Sequence, residues 1–168
     1  MNPTRSLSFA LFFVAASLCG QAANAQSRED LAAGLRLFTQ KGDCGACHGW
    51  SGDGRKLDSQ MPDGANLRGM QIDRETLAMT IKCGRPGTGM PPFDRLAYSD
   101  GRCFGLKAAD LRARGLTVGD PPATLQPSEV NLLVDFLLAK VVGKGPINRA
   151  QCVDFWGSDV ETCKDLAQ

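Results

Sequence analysis

The chain has 168 residues, 43% of them hydrophobic, and a formal net charge of +1. This length suits one compact domain, and the composition is that of a globular protein rather than a disordered or fibrous one. A net charge so close to zero argues against nucleic acid as a partner, and the single histidine, His48, excludes any mechanism that needs two imidazoles.

The first residues have the pattern of an export signal. Arg5 supplies a positive charge, Leu7 to Leu18 form an apolar run, and residues 23–25 offer small side chains for cleavage. The apolar run is shorter than the roughly 20 residues that span a bilayer. We therefore expect residues 1–25 to be removed, which would leave a soluble periplasmic protein without a membrane span. An uncleaved membrane anchor is the alternative.

The periodicity of the apolar residues predicts helices and no strand, so the expected fold class is all-α. Asp73 suits an N-cap, Pro127 suits a first turn, and Gly84 and Gly143 suit helix ends. The predicted helices cover about residues 28–40, 73–83, 127–142, 148–155 and 159–166. The last two form a hairpin, and each is expected to begin at a capping side chain.

Two long segments carry no predicted helix, residues 51–70 and residues 91–127. The second contains five prolines, of which the last, Pro127, suits the start of the next helix. A loop of this length is uncommon in a compact domain and is usually functional or tied down.

The sequence Cys44-Gly45-Ala46-Cys47-His48 matches the C-x-x-C-H attachment motif of c-type haem. Two thiols on one helical turn can form thioethers with the two vinyl groups of the porphyrin, and the next residue then directs its imidazole at the iron. A thioredoxin-like redox pair would favour a βαβ context, and a zinc site would need a second such cluster. We therefore expect one covalently bound haem c per chain, with His48 as an axial ligand.

The iron needs a sixth ligand, and four methionines follow the attachment motif: Met61, Met70, Met79 and Met90. Met79 lies in a helical pattern, where methionine more often fills a core. Met61 and Met70 remain open on chemistry alone. Met90 is favoured because glycines precede it and prolines follow it, which would let the backbone approach a flat cofactor and stiffen the loop.

With these motifs, residues 28–142 resemble a class I c-type cytochrome. Gly34 and Phe38 match the G-x-x-x-F/Y pattern of that family's N-terminal helix, and Phe136 matches the aromatic residue of the helix that crosses it. Residues 64–69 resemble the family's G-P-x-L-x-G loop, with Ala65 in place of the proline. Met90, followed by proline, matches the methionine-ligand motif.

The resemblance implies helices wrapped around one haem, with His48 and Met90 as the axial ligands of the iron. It also implies that the carbonyl of Ala65 accepts a hydrogen bond from Nδ1 of His48. The cytochrome domain would cover residues 26–144, with a long insertion after the methionine loop. Residues 145–168 would form an additional C-terminal helical hairpin.

Four further cysteines are expected to form disulfides in an oxidising compartment. They are Cys83, Cys103, Cys152 and Cys163. Three pairings are possible, and the sequence does not choose among them. We favour the two local ones, Cys83–Cys103 across the methionine loop and Cys152–Cys163 across the hairpin.

These features predict a periplasmic electron carrier that cycles between Fe(III) and Fe(II) and is not an enzyme. Its partners would be redox proteins, such as a periplasmic dehydrogenase and a terminal oxidase or another cytochrome. One alternative is the dedicated electron-acceptor cytochrome, or subunit, of a single periplasmic dehydrogenase, which the insertion and the tail favour. Another is a haem enzyme or gas sensor in which Met90 is displaced.

Charge gives a weaker indication of docking. Residues 82–114 hold seven basic against three acidic side chains, an excess of four positive charges. Most charge clusters are solvated faces. The functional alternative is a surface near the haem edge, including Arg85, Arg95 and Arg102, that steers an acidic partner.

Overall fold

The computed structural model describes residues 27–167, and this part of the chain is helical without strands. The predicted signal segment, residues 1–25, lies outside the described residues. The helices are α1 (residues 27–36, continued as a π-helix over Leu37–Lys41), α2 (Gly45–His48), α3 (Arg74–Cys83), α4 (Ala108–Ala113), α5 (Pro127–Lys140), α6 (Arg149–Trp156) and α7 (Glu161–Lys164). No helix among the described residues is long and apolar enough to cross a membrane.

The capping signals explain where the longer helices begin. The Asp73 carboxylate accepts a hydrogen bond from the Thr76 amide at 2.8 Å, which starts α3. Pro127 occupies the first turn of α5. The Asn148 side chain accepts a hydrogen bond from the Gln151 amide at 2.9 Å, which starts α6. The predicted starts of α3, α5 and α6 are therefore confirmed.

Two sequence expectations were wrong at the short helices. Asp159 does not cap the last helix, which begins at Glu161 after Val160, because its carboxylate pairs with Arg149 at 2.5 Å. The segment 91–127 also contains a helix, α4, that the sequence did not predict. This helix buries only Leu111, so it carries no apolar stripe from which it could be recognised.

The main core forms where α1, α3 and α5 meet. Gly34 on α1 faces Leu132 and Phe136 of α5 so closely that any side chain there would collide with them. One turn later, the ring centroids of Phe38 and Phe136 lie 5.9 Å apart. This is the helix crossing that the family resemblance implies, and it places the end of α1 directly before the C-x-x-C-H turn.

A second, smaller core holds the insertion in place. Cys83 at the end of α3 is bonded to Cys103, and the two cysteines are 20 residues apart in sequence. The hydroxyl of the buried Tyr98 donates to the Cys83 carbonyl at 2.7 Å, and Leu111 of α4 packs beside them. The long segment is therefore tied down rather than structureless.

The C-terminal hairpin of α6 and α7 is closed by a disulfide between Cys152 and Cys163. Phe155 of this hairpin packs on Phe136 and on Trp50, with ring centroids 6.4 Å and 5.2 Å apart. Both disulfides are the local pairs favoured from the sequence. The hairpin thus covers the main core beside the residues that follow the C-x-x-C-H motif.

Candidate functional site

The C-x-x-C-H residues form the short helix α2, with Cys44 at its N-cap. The Cys44 amide donates to the Phe38 carbonyl at 2.9 Å, and the His48 amide donates to the Cys44 carbonyl at 2.8 Å. Cys44 and Cys47 are unpaired and half-buried, whereas the other four described cysteines form disulfides. The turn therefore presents two free thiols and one imidazole together.

The His48 ring is oriented by the loop that resembles the family's G-P-x-L-x-G sequence. Its Nδ1 atom lies 2.8 Å from the Ala65 carbonyl oxygen, so that Nδ1 donates to this oxygen, as the resemblance implies. The Gly64 amide donates to the Cys47 carbonyl at 3.0 Å. A side chain at Gly64 would come within 2.8 Å of the His48 ring, so only glycine lets the loop lie this close. With Nδ1 protonated, Nε2 is the nitrogen available to a metal.

Burial shapes the protonation of these groups. It lowers the pKa of the His48 imidazole, an effect that the Ala65 hydrogen bond opposes and the charge of Arg85 reinforces. The neutral ring, which is the form that binds metals, is therefore favoured. Burial, aided by the neighbouring Asp43 carboxylate, raises the pKa of the Cys44 thiol to about 12. Burial also raises the pKa of Cys47, so both free thiols stay protonated at neutral pH.

The four methionines occupy different environments. Met70 packs against the main core, and Met79 packs in the second core with its sulfur 3.4 Å from Cys83 Sγ. Met61 is 38% exposed in the loop after α2. Met90 is half-buried in the loop after α3, where its carbonyl accepts from the Arg85 amide at 3.0 Å.

The loop of Met90 touches the loop that holds Ala65. Gly89 lies so close to the Pro62 ring that a side chain at position 89 would overlap it. The charge of Arg85, which begins the same loop as Met90, also acts on the His48 ring. The structure therefore brings the methionine loop to the side of the molecule where His48 lies.

The basic side chains of residues 82–114 are not equivalent. Arg102 pairs with Asp100 at 2.7 Å and with Asp94 at 3.3 Å, so its charge is locally balanced. Arg85 and Arg95 are exposed and form no ion pair with another described residue. Of these side chains, Arg85 adds to the effect of burial in lowering the pKa of the His48 imidazole.

Sequence reasoning missed two residues beside this site. Trp50 stacks with Trp156 at 5.6 Å, which links the turn after His48 to the C-terminal hairpin. Arg68 is only 3% exposed, although it lies in a polar loop. A lone tryptophan and a lone arginine form no periodic pattern, so the sequence carries no signal for either contact.

The donor set fits a covalently attached haem. Two unpaired thiols on one turn are followed by a neutral imidazole whose Nδ1 is held by a carbonyl. Across residues 27–167, no group of three or more His, Cys, Asp or Glu side chains could hold a bare metal ion. Cys44, Cys47 and His48 are thus the residues that would bind the cofactor.

Comparison with known proteins identifies a matching protein family. Residues 29–102 match the family described as cytochrome c oxidase, cbb3-type, subunit III. No curated protein and no solved structure gives a significant match to the chain. The matched region contains the C-x-x-C-H turn, the Ala65 loop and the Met90 loop. The match and the geometry of the turn together support a c-type cytochrome that binds haem c and transfers electrons.

Proposed function

We propose that the protein is a periplasmic class I cytochrome that carries single electrons on one covalently bound haem. Cys44 and Cys47 would form the thioethers, and His48 and Met90 would be the axial ligands. The observation that carries this proposal is the oriented His48 ring beside two free thiols on one helical turn. Haem with two protein ligands supplies reversible exchange between Fe(III) and Fe(II).

The chain's own residues would keep the site rigid. The Ala65 carbonyl fixes the orientation and the tautomer of His48 and increases the basicity of Nε2. Hydrogen bonds within residues 85–90 and the contact of Gly89 with Pro62 restrain the Met90 loop. These restraints support a permanent sixth ligand over a displaceable one, and therefore electron transfer over gas sensing or haem enzymology.

A second candidate is a dedicated redox subunit. The matched family is described as a subunit of an oxidase. Residues 103–127 of the insertion, which Cys103 links to Cys83, and the C-terminal hairpin add structured surface beyond the matched residues. Such surface suits one specific partner, for example a periplasmic dehydrogenase or an oxidase, better than a general shuttle.

A redox titration of the exported protein, followed by its optical spectrum, tests the proposed function. The expected result is one reversible one-electron transition, with a weak far-red band from methionine ligation in the oxidised form. Several resolved transitions, or an oxidised spectrum without the far-red band, would contradict a single haem with a methionine ligand.

A further inference from the structure

We propose that Arg68 is a positioning residue that links the C-terminal hairpin to the loop that orients His48. This role rests on the haem ligation proposed above. Arg68 follows Ala65 by three positions, and its guanidinium reaches away from that loop into the hairpin.

The guanidinium binds two points of the C-terminal segment. Its Nε donates to the Gly145 carbonyl at 2.5 Å, and its Nη2 donates to the Gln151 side-chain oxygen at 2.7 Å. The backbone adds a third contact, because the Gly145 amide donates to the Arg68 carbonyl at 3.1 Å. Gln151 lies on α6, one position before the disulfide cysteine Cys152. The loop is therefore bonded to the hairpin next to the Cys152–Cys163 disulfide that closes the hairpin.

The same loop is fastened to the haem-binding turn. The Gly64 amide bonds the Cys47 carbonyl of the turn, and the Leu67 amide donates at 2.8 Å to the carbonyl of Gly52, four residues after His48. Within the loop, the Asn66 side chain accepts from the Arg68 amide at 3.0 Å. Ala65 lies between these contacts and the Gly64–Cys47 hydrogen bond. Movement of Arg68 would therefore move the carbonyl that holds His48 Nδ1.

The burial of Arg68 indicates a role that an apolar side chain would not fill. Its hydrogen bonds go to a carbonyl and an amide oxygen and not to a carboxylate, although Asp53 lies near enough to attract its charge. Burying a guanidinium without a directly bonded carboxylate is unfavourable compared with a methionine or leucine of similar volume. A planar group with several donors can, however, join two acceptors at fixed angles. The link between these two acceptors explains why an arginine suits this position.

The test uses the exported holoprotein, after its mass has shown that haem is attached, so a failure of haem attachment is recognised separately. In Arg68→Met, hydrogen exchange of the amides in residues 64–69 should become about tenfold faster or more. In the uncharged variant Gln151→Met the reduction potential should rise, because a looser hydrogen bond at Nδ1 makes His48 a weaker base; in Arg68→Met the lost positive charge acts in the opposite direction. Exchange in residues 64–69 should quicken less in Gln151→Met than in Arg68→Met, and the double variant should exchange little faster than Arg68→Met.

Lys140→Met is the matched control. It breaks the Lys140–Asp154 ion pair of 2.6 Å, which ties the same hairpin to α5 without contacting the loop. It should leave exchange in residues 64–69 and the potential unchanged. The proposal is overturned if Arg68→Met leaves both quantities at parental values, or if Lys140→Met changes them equally. If Arg68→Met does not accumulate, parental exchange in Gln151→Met would overturn it.

Discussion

At the level of single residues, the spacing of residue types in the sequence indicates the chemistry of the site. It does not indicate the surroundings of each side chain. The spacing of Cys44, Cys47 and His48 predicted that these side chains share one helical turn, and α2 brings them together. A choice among the methionines as a further ligand was harder to predict, since four candidates share the same donor atom. The pKa shifts at Cys44 and His48 arise from burial, which depends on contacts far along the chain.

Replacing Met90 with alanine should leave haem attached but remove the far-red band of the oxidised protein. The potential should fall, because loss of the thioether removes a ligand that favours Fe(II). Cyanide should also bind more readily to the oxidised form. Optical titration measures all three effects, with Met79→Leu in the second core as the control that retains the band. Loss of the band in Met61→Ala or Met70→Ala, with Met90→Ala unaffected, would identify another ligand.

At the level of elements, helices with a cap and an apolar stripe were predictable, whereas α4 was not predicted and α7 begins later than predicted. α1, α3 and α5 each pack apolar side chains at helical spacing against the main core, so their periodicity is visible in the sequence. α4 and α7 have six and four residues, too few to show a period. The start of α7 depends on the ion pair between Asp159 and Arg149 of α6. The capping preference of Asp159 alone does not predict this pair.

The α1–α5 crossing should contribute a large part of the stability. Phe136 is 3% exposed and contacts both Phe38 and Phe155. Phe136→Ala should lower the free energy of unfolding by about 3 to 5 kcal/mol, because it removes apolar burial and leaves a cavity. Denaturant unfolding of the holoprotein measures this. Asn131→Ala, exposed on the same helix, should change it by less than about 0.5 kcal/mol; equal effects of the two variants would contradict the assigned core.

The Cys83–Cys103 disulfide closes a 20-residue separation around the methionine loop. Replacing both cysteines with alanine should lower the free energy of unfolding by about 3 kcal/mol, mainly by releasing the unfolded chain. It should also quicken cyanide binding if the insertion supports Met90. Peptide mapping without reduction checks the pairing in the parent. Free thiols at these positions, or a crossed pairing with Cys152 or Cys163, would contradict the Cys83–Cys103 disulfide.

For the whole molecule, the sequence predicted a helical fold around one haem-attachment motif and an insertion closed by a disulfide. It could not predict how the insertion and the tail pack, because those contacts join residues far apart in sequence. Arg68 reaches Gln151 across 83 positions, and Trp50 reaches Phe155. Nor could it show that Arg102 is balanced by two carboxylates, whereas Arg85 acts on His48.

This charge arrangement predicts selective steering of anions. Hexacyanoferrate(III), an anionic oxidant, should oxidise the reduced protein more slowly after Arg85→Glu than after Arg36→Glu, which makes the same charge change on the exposed side of α1. The difference should be largest at low salt and shrink as ions screen the surface. Stopped-flow rates at several ionic strengths provide the measurement. Identical rates for the two variants at every ionic strength would show that the basic segment is an ordinary solvated surface.

The intact mass of the mature protein under denaturing conditions tests whether one haem is covalently bound. We expect a polypeptide that begins at Gln26 and carries the mass of one haem, with the haem on the peptide that contains Cys44 and Cys47. The Cys44→Ala/Cys47→Ala variant should lose that added mass. A parent protein of polypeptide mass alone, a second haem, or haem retained covalently by the double variant would contradict it.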